Sequence, residues 1–484
     1  MKHKPLLFSL GAMVLFGTLV QTAYGQEQAV KKADPTNAAS AVSSESKPDG
    51  RTASPIHPLF IDVMKMRGLK PAGSNLTVTT PSKTMATPGG FAGGNSQPTS
   101  GSSRFAPSAF DSQDRNDENG VGPTLPLWTF RVHSSRDGNS YSGAMVGKNP
   151  FRDPGKTKVP TKVIPLIIKT QLVATSFDST TGNLGTAPGN STFDPTSPDS
   201  TNPCLSAPNN VATHLVSQSP IFTPTKFVFG ATNVGTTTYN DAFQRANFWN
   251  ILGEDRDSYH VLLDPVQVLD PITLEVPDVY GVAIANLLLL GSPAFCAPLG
   301  IVDINWFDTY LDGTVIPALT KERNLDPTKL PIFLVYNVVW ASPANSLAGC
   351  CILGYHGTTG FPIPTQTYSP AEFDTTGLFT SDGSILDTEV LSHEIDEWMD
   401  DPMISNPTPP WGHTGQVGGC QANLEVGDPL SGTDLPLVTM PNGFKYHLQE
   451  LAFFSWFFGA PSIGVNGWYS DNGTFLTDAG APCH

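Results

Sequence analysis

The stretch DTEVLSHEIDEWMDDP, residues 387–402, decides how the rest of the chain is read. Leu386, Val390, His393 and Glu397 follow one another at steps of four, three and four, so on a helix they share one face. Ser384 with Asp387 three residues on predicts a capping box at the start of that helix, and Pro402 marks its stop. An apolar stripe that ends in a histidine and a glutamate turns both inward, and a buried glutamate is expensive unless it is paired or metal-bound. His393 and Glu397 can then grip one ion from adjacent turns. Glu394, one residue past the histidine, leans toward a water on that ion and is placed to act as its general base.

The pattern is the His-Glu-x-x-His metal helix with a carboxylate in place of the second imidazole. The plain alternative is a solvated acidic face that happens to carry a histidine. A third ligand is needed, and GCQANLEVGDP, residues 419–429, offers one. Glu425 is assigned as the third ligand and Asp428 as the carboxylate that orients His393. His413, in WGHTGQ, is the rival ligand. His447, with Tyr446, follows the hairpin-like Asn442-Gly443 turn and is the candidate for stabilising an oxyanion.

Composition narrows the class. The 484-residue chain carries 27 Lys and Arg against 43 Asp and Glu, a formal net charge of −16, with no basic run to track a phosphate backbone. Nucleic acid and anionic membrane are therefore excluded as expected partners. At the N-terminus, Lys2 and Lys4 precede an apolar run over residues 6–20 and the small residues around Tyr24, which reads as a secretory signal over residues 1–25. Export, to a periplasmic or extracellular space, follows. Six cysteines in an exported chain, Cys204, Cys296, Cys350, Cys351, Cys420 and Cys483, favour disulfides, with the adjacent Cys350 and Cys351 expected to bond to two different partners. Asn75, Asn190 and Asn472 sit in Asn-x-Ser/Thr contexts.

Residues 26–123 are rich in Ser, Thr, Gly, Pro and Asn and read as a mostly disordered linker or pro-segment, apart from a short amphipathic helix expected from His57. From residue 124 to 484 the chain reads as one domain. LWTFRV, KVIPLIIKTQLVAT and HVLLDPVQVL are expected strands, and the segment DSTTGNLGTAPGNSTFDPTSPDSTNPC between them a surface loop. YNDAFQRANFWNIL and NWFDTYLDGTVIPALTKERN have helical periodicity. LPIFLVYNVVWA is a continuous buried strand, GCCILGYHGTTG a turn and PTQTYSPAEF a short strand. Helix, buried strand, edge strand and then a helix bearing His-Glu is the order of a zincin-like α+β domain, a mixed sheet with an active-site helix.

SHEIDEWMDDP, a tryptophan, GQV, LEVGD and NGFKYHLQELAFFSWF together resemble, in order and spacing, the phosphate-induced, Exordium-like family of secreted proteins. The stretch CCILGYHG is similar to that family's Cys-Gly-x-His turn. The resemblance covers residues 350–456. It implies a zincin-like fold and matches His393, Glu394, Glu397, Glu425 and Asp428 position by position, and it implies no established reaction.

A His, Glu, Glu set brings two negative charges to a divalent cation, so the site is less electrophilic and its bound water less acidic than in strongly activating zinc sites. Zinc is the first expected ion, and the oxygen-rich shell also suits manganese or calcium. Two functions compete: an exported zincin-like metal-dependent hydrolase, a peptidase of weak or unusual activity on a peptide or protein substrate, or a catalytically silent scaffold with a structural metal and an extracellular binding partner. A glycosidase is set aside, because Glu394 and Glu397 lie on one helical turn and cannot flank a sugar. GAMVGKN lacks the spacing of a phosphate loop, and no Gly-x-Ser-x-Gly elbow occurs.

Overall fold

The computed structural model describes residues 56–60, 124–199, 202–205, 211–286, 290, 296–359, 366–379, 386–412, 420–459 and 461–478. The signal segment, Ser384, His413 and Cys483 lie outside the described residues. Among those described, no helix is long and apolar enough to cross a membrane.

Nineteen strands are described. β1 (Ile56–Phe60) precedes the hairpin of β2 (Leu127–His133) and β3 (Ser140–Val146). β4 (Lys156–Phe177) is a 22-residue strand, followed by β5 (Leu184–Phe193) and the hairpin of β6 (Thr225–Phe229) and β7 (Thr232–Thr237). Helix α1 (Tyr239–Asn247) leads to β8 (His260–Val268), β9 (Ile272–Glu275), β10 (Gly281–Ile284) and β11 (Leu299–Asp303). Helix α2 (Ile304–Tyr310) then precedes β12 (Leu330–Tyr336), β13 (Val338–Ala341), β14 (Cys350–Thr359) and β15 (Gln366–Phe373). Helix α3 (Glu389–Asp400) carries the His-Glu motif. Two short pairs, β16 (Pro407–Gly412) with β17 (Cys420–Asn423) and β18 (Val438–Thr439) with β19 (Lys445–Tyr446), and helix α4 (Phe454–Phe458) follow.

The order β14-β13-β11-β10-β4-β12-β15 returns to β14, because β14 pairs antiparallel with both β13 and β15. Seven strands therefore form a closed barrel, and the fold is mostly β, with 41 % of the described residues in strands and 22 % in helices. This corrects the expected zincin-like α+β sheet. Two misread segments account for the difference. GCCILGYHGTTG, expected as a turn, supplies the ten-residue β14 that makes the closure. The loop expected after Phe177 contains β5, which pairs along the outer length of β4. Both are poor in the β-branched alternation that marks strands, so cross-strand neighbours rather than local preference set their conformation.

Three further expectations change. The helix expected from His57 overlaps β1, a strand that pairs antiparallel with β14, with His57 in register with His356. The continuous strand of residues 330–341 breaks at Asn337, whose φ is 53° and whose Oδ1 accepts from the Thr375 backbone N–H at 2.7 Å. Cys350 and Cys351 bond to each other rather than to separate partners, while Cys204 takes Cys296.

Helix α3 is held by alternation in the strands beneath it. Ile332 and Leu334 of β12 join the cluster that contains Val390, Leu391, Ile395, Trp398 and Met399, whereas Phe333 and Val335 turn to the other face and pack with Phe307 of α2. Each of the buried aliphatic side chains on α3 contributes roughly 1.5–3 kcal/mol by leaving water. The Trp398 indole N–H donates to Thr367 Oγ1 at 2.9 Å and ties the helix to β15.

Candidate metal centre

Every residue of α3 is buried. The helix starts at Glu389, later than the capping box predicts. Its lead-in is Asp387, at φ 42°, a left-handed conformation that Asp tolerates better than most residues. The Asp387 carboxylate accepts from the Thr388 N–H at 2.6 Å and the His447 N–H at 3.0 Å, and lies 2.7 Å from His447 Nδ1. At the other end Asp401 accepts from the backbone of Ser405 and Asn406, and the Asn406 amide donates to the Asp400 carbonyl at 2.6 Å. A polar ladder steadies the middle. Asn240 and Gln244 of α1, four residues apart, donate to Asp396 at 2.9 Å and Asp400 at 2.7 Å, also four apart.

The remaining face presents His393, Glu394 and Glu397. His393 Nε2 lies 3.1 Å from Glu397 Oε1 and 3.7 Å from Asp428 Oδ1. Its other ring nitrogen, Nδ1, is 2.9 Å from Gln449 Oε1. The Gln449 amide cannot be turned round, since its Nε2 donates to the Gly427 carbonyl at 2.6 Å. Nδ1 must therefore carry the proton it gives to Gln449, and the Nε2 lone pair points at two carboxylate oxygens. That is repulsive unless a cation or a second proton stands between them. Burial works to lower the His393 pKa, but Glu397, Glu394 and Asp428 together drive it well above the usual value. Burial also raises the carboxyl of Glu397, with His393 opposing it, and raises that of Glu425 strongly.

Two groups of donors could each hold a metal ion. One is His393, Glu397 and Asp428; the other is His356, Glu394 and Glu397, and in each group the donor atoms lie within 4.8 Å of one another. Two donors about 2.1 Å from one ion at a near-tetrahedral angle stand about 3.4 Å apart. The spacings of 3.1 and 3.7 Å around His393 Nε2 match that geometry. The Nε2 atom is fully buried and makes no hydrogen bond, so the site fits a cation on the evidence of its own atoms.

The expected residues fall as follows. His393, Glu397 and Asp428 meet directly. Glu425 lies 3.7 Å from His356 Nε2 and accepts from Asn423 at 2.6 Å, on a different edge from His393. Glu394 Oε2 is 3.4 Å from His356 Nδ1. Tyr446 donates to the Leu215 carbonyl at 2.9 Å, and half-buried His447 pairs with Asp387, so neither is turned to the cluster. His413 is outside the described residues. His356 and Gln449 were not anticipated. The available signal was GYHG: Gly354 and His356 are two apart on one strand face, and a Cβ at Gly354 would come within 2.7 Å of Glu394 Cγ and Val390 Cγ1. A glycine admits the helix there, and the next side chain on that face is a histidine.

Fold and site together define a buried histidine–carboxylate centre set between one helix and a closed β-barrel. No protein-family model, no curated protein and no solved structure matches the chain.

Proposed function

We propose that this chain is an exported metal-dependent hydrolase that acts on peptide or protein substrates. The observation that carries the reading is His393 Nε2, fully buried, its lone pair held between Glu397 and Asp428 by the Gln449 amide. His393, Glu397 and Asp428 would hold the ion. When bound, such an ion supplies Lewis-acid polarisation of a carbonyl and a more acidic water. The chain's own contribution is Glu394, which would take the proton of the attacking water; its Oε2 lies 3.4 Å from His356 Nδ1. Zinc is the first choice, and the four carboxylates around the two histidines also suit manganese or calcium. The same carboxylates reduce electrophilicity, so turnover at neutral pH is expected to be weak.

The burial of His356, His393, Glu394 and Glu397 favours a second reading, in which the ion is structural and the protein binds an extracellular partner. Metal-loaded wild type and Glu394→Gln, assayed on a mixed peptide library with metal content followed in parallel, separate the two. Turnover in wild type that falls at least 100-fold in the variant, with the ion at His393 retained, supports the hydrolase. No turnover in either, with metal bound in both, supports the structural ion.

A further inference from the structure

We infer that the centre takes two divalent cations, bridged by the Glu397 carboxylate. The inference rests on the metal-centre reading above and adds a second ion to it. The two donor groups share Glu397 alone, and its two oxygens are turned to different histidines. Oε1 is turned to His393 Nε2 at 3.1 Å, and is fixed there by the backbone N–H groups of Gly427 at 3.2 Å and Asp428 at 3.1 Å. Oε2 is turned to His356 Nδ1 at 3.8 Å. A carboxylate presenting one oxygen to each of two ligand sets is the arrangement that bridges paired ions about 3.5–4 Å apart.

Each histidine is built in the same way. His393 offers Nε2 to its set and gives Nδ1 to Gln449. His356 offers Nδ1 to Glu394 and Glu397 and faces Glu425 with Nε2 at 3.7 Å. A ligating histidine characteristically has its second nitrogen held by an acceptor, which sets the tautomer and the ring plane. On this geometry Asp428 is a ligand of the first ion, and Glu425 is the carboxylate that orients the histidine of the second.

Glu394, Glu397, Glu425 and Asp428 place four carboxyl groups in a volume where each residue is at most 2 % exposed. Acidic groups gathered in a poorly solvating interior are the setting that divalent cations stabilise.

The test uses the full chain, stripped of metal and titrated with manganese(II) alone. Bound metal is measured by elemental analysis and coupling by electron paramagnetic resonance. We expect about two equivalents at saturation, with the six-line signal of isolated manganese collapsing as the second equivalent binds. His356→Ala and His393→Ala should each retain about one equivalent and regain the uncoupled signal. Because either variant can misfold, the wild-type spectrum is decisive by itself. Saturation at one equivalent overturns the second ion while leaving the metal centre intact. Two equivalents without coupling overturn the Glu397 bridge, and no binding overturns both this inference and the function proposed above.

Discussion

Gln449 Oε1 stands 2.9 Å from His393 Nδ1, and the same amide is anchored by its Nε2 on the Gly427 carbonyl. Side chain, backbone and imidazole thus form one relay that settles which nitrogen of His393 faces the carboxylates. Replacing Gln449 by Met keeps the volume and removes the acceptor. We expect metal affinity to fall roughly 10- to 100-fold, the usual consequence of losing a partner behind a ligating histidine. Competition against a chromogenic chelator measures it, and an unchanged Kd would show that the amide does not orient the ring.

Gly427 lies against the same imidazole. A Cβ built there would come within 2.4 Å of His393 Nδ1 and 2.6 Å of its Cγ, too close for a ring that is already boxed in. Gly427→Ala should therefore push His393 aside and abolish binding at its site. Gly313→Ala, where nothing lies within 4 Å, serves as the control and should bind metal as wild type does. Equal metal content in the two variants would refute the packing argument.

The ladder between α1 and α3 is open to a stability test. Gln244→Ala removes the donor to the buried Asp400 carboxyl, whose other oxygen has no hydrogen-bond partner. Leaving a buried polar group unsatisfied costs on the order of 1–3 kcal/mol. The midpoint of urea unfolding should fall accordingly, while Lys148→Ala, which breaks an exposed ion pair with Asp153, should leave it nearly unchanged.

Asp308 of α2 predicts a pH dependence. Burial raises its carboxyl from an ordinary value of 3.8 to about 6, against the hydrogen bonds donated by Tyr368 at 2.6 Å and Tyr355 at 3.1 Å. Between about pH 4 and pH 6 the unfolded chain releases this proton and the folded chain keeps it, so stability falls as pH rises through that window. Both tyrosines bond Oδ1, so Asp308→Asn keeps an acceptor for each and removes the ionisation. The variant should be more stable by about 2 kcal/mol at pH 7, a figure reduced for partial exposure, and should lose that advantage as pH drops toward 4. Parallel unfolding curves at pH 4 and pH 7 check this; a constant difference would place the origin elsewhere.

How much of this could be read from the chain depended on distance along it. His393, Glu394 and Glu397 are separated by one turn, and 3.6-residue periodicity alone places them on a shared face. Asp428 and Glu425 were legible as a carboxylate pair, but their different edges were not, because the 3₁₀ turn beginning at Asp428 and the Glu397 contacts to its backbone arise only on folding. His356 lies 37 residues before His393, in a strand whose glycines suggest a turn. Its proximity depends on β14 pairing with β15, a contact to which local propensity contributes little. The closure of the barrel was hidden for the same reason. Individual strands such as β4 and β12 announce themselves by their apolar residues, whereas the identity of each one's neighbour is a property of the whole sheet.

The outermost strand has a practical consequence for producing the protein. β1 belongs to the segment that composition assigns to a linker, yet it covers the backbone of β14 from Ile352 to Gly357, on the edge opposite β15. A shortened version beginning at residue 124 would leave those N–H and C=O groups bare on the very strand that carries His356. Open strand edges recruit strands from other molecules, so such a version is a candidate for aggregation and poor recovery from expression. A start at Ala53, where the larger compact unit begins, keeps the edge covered.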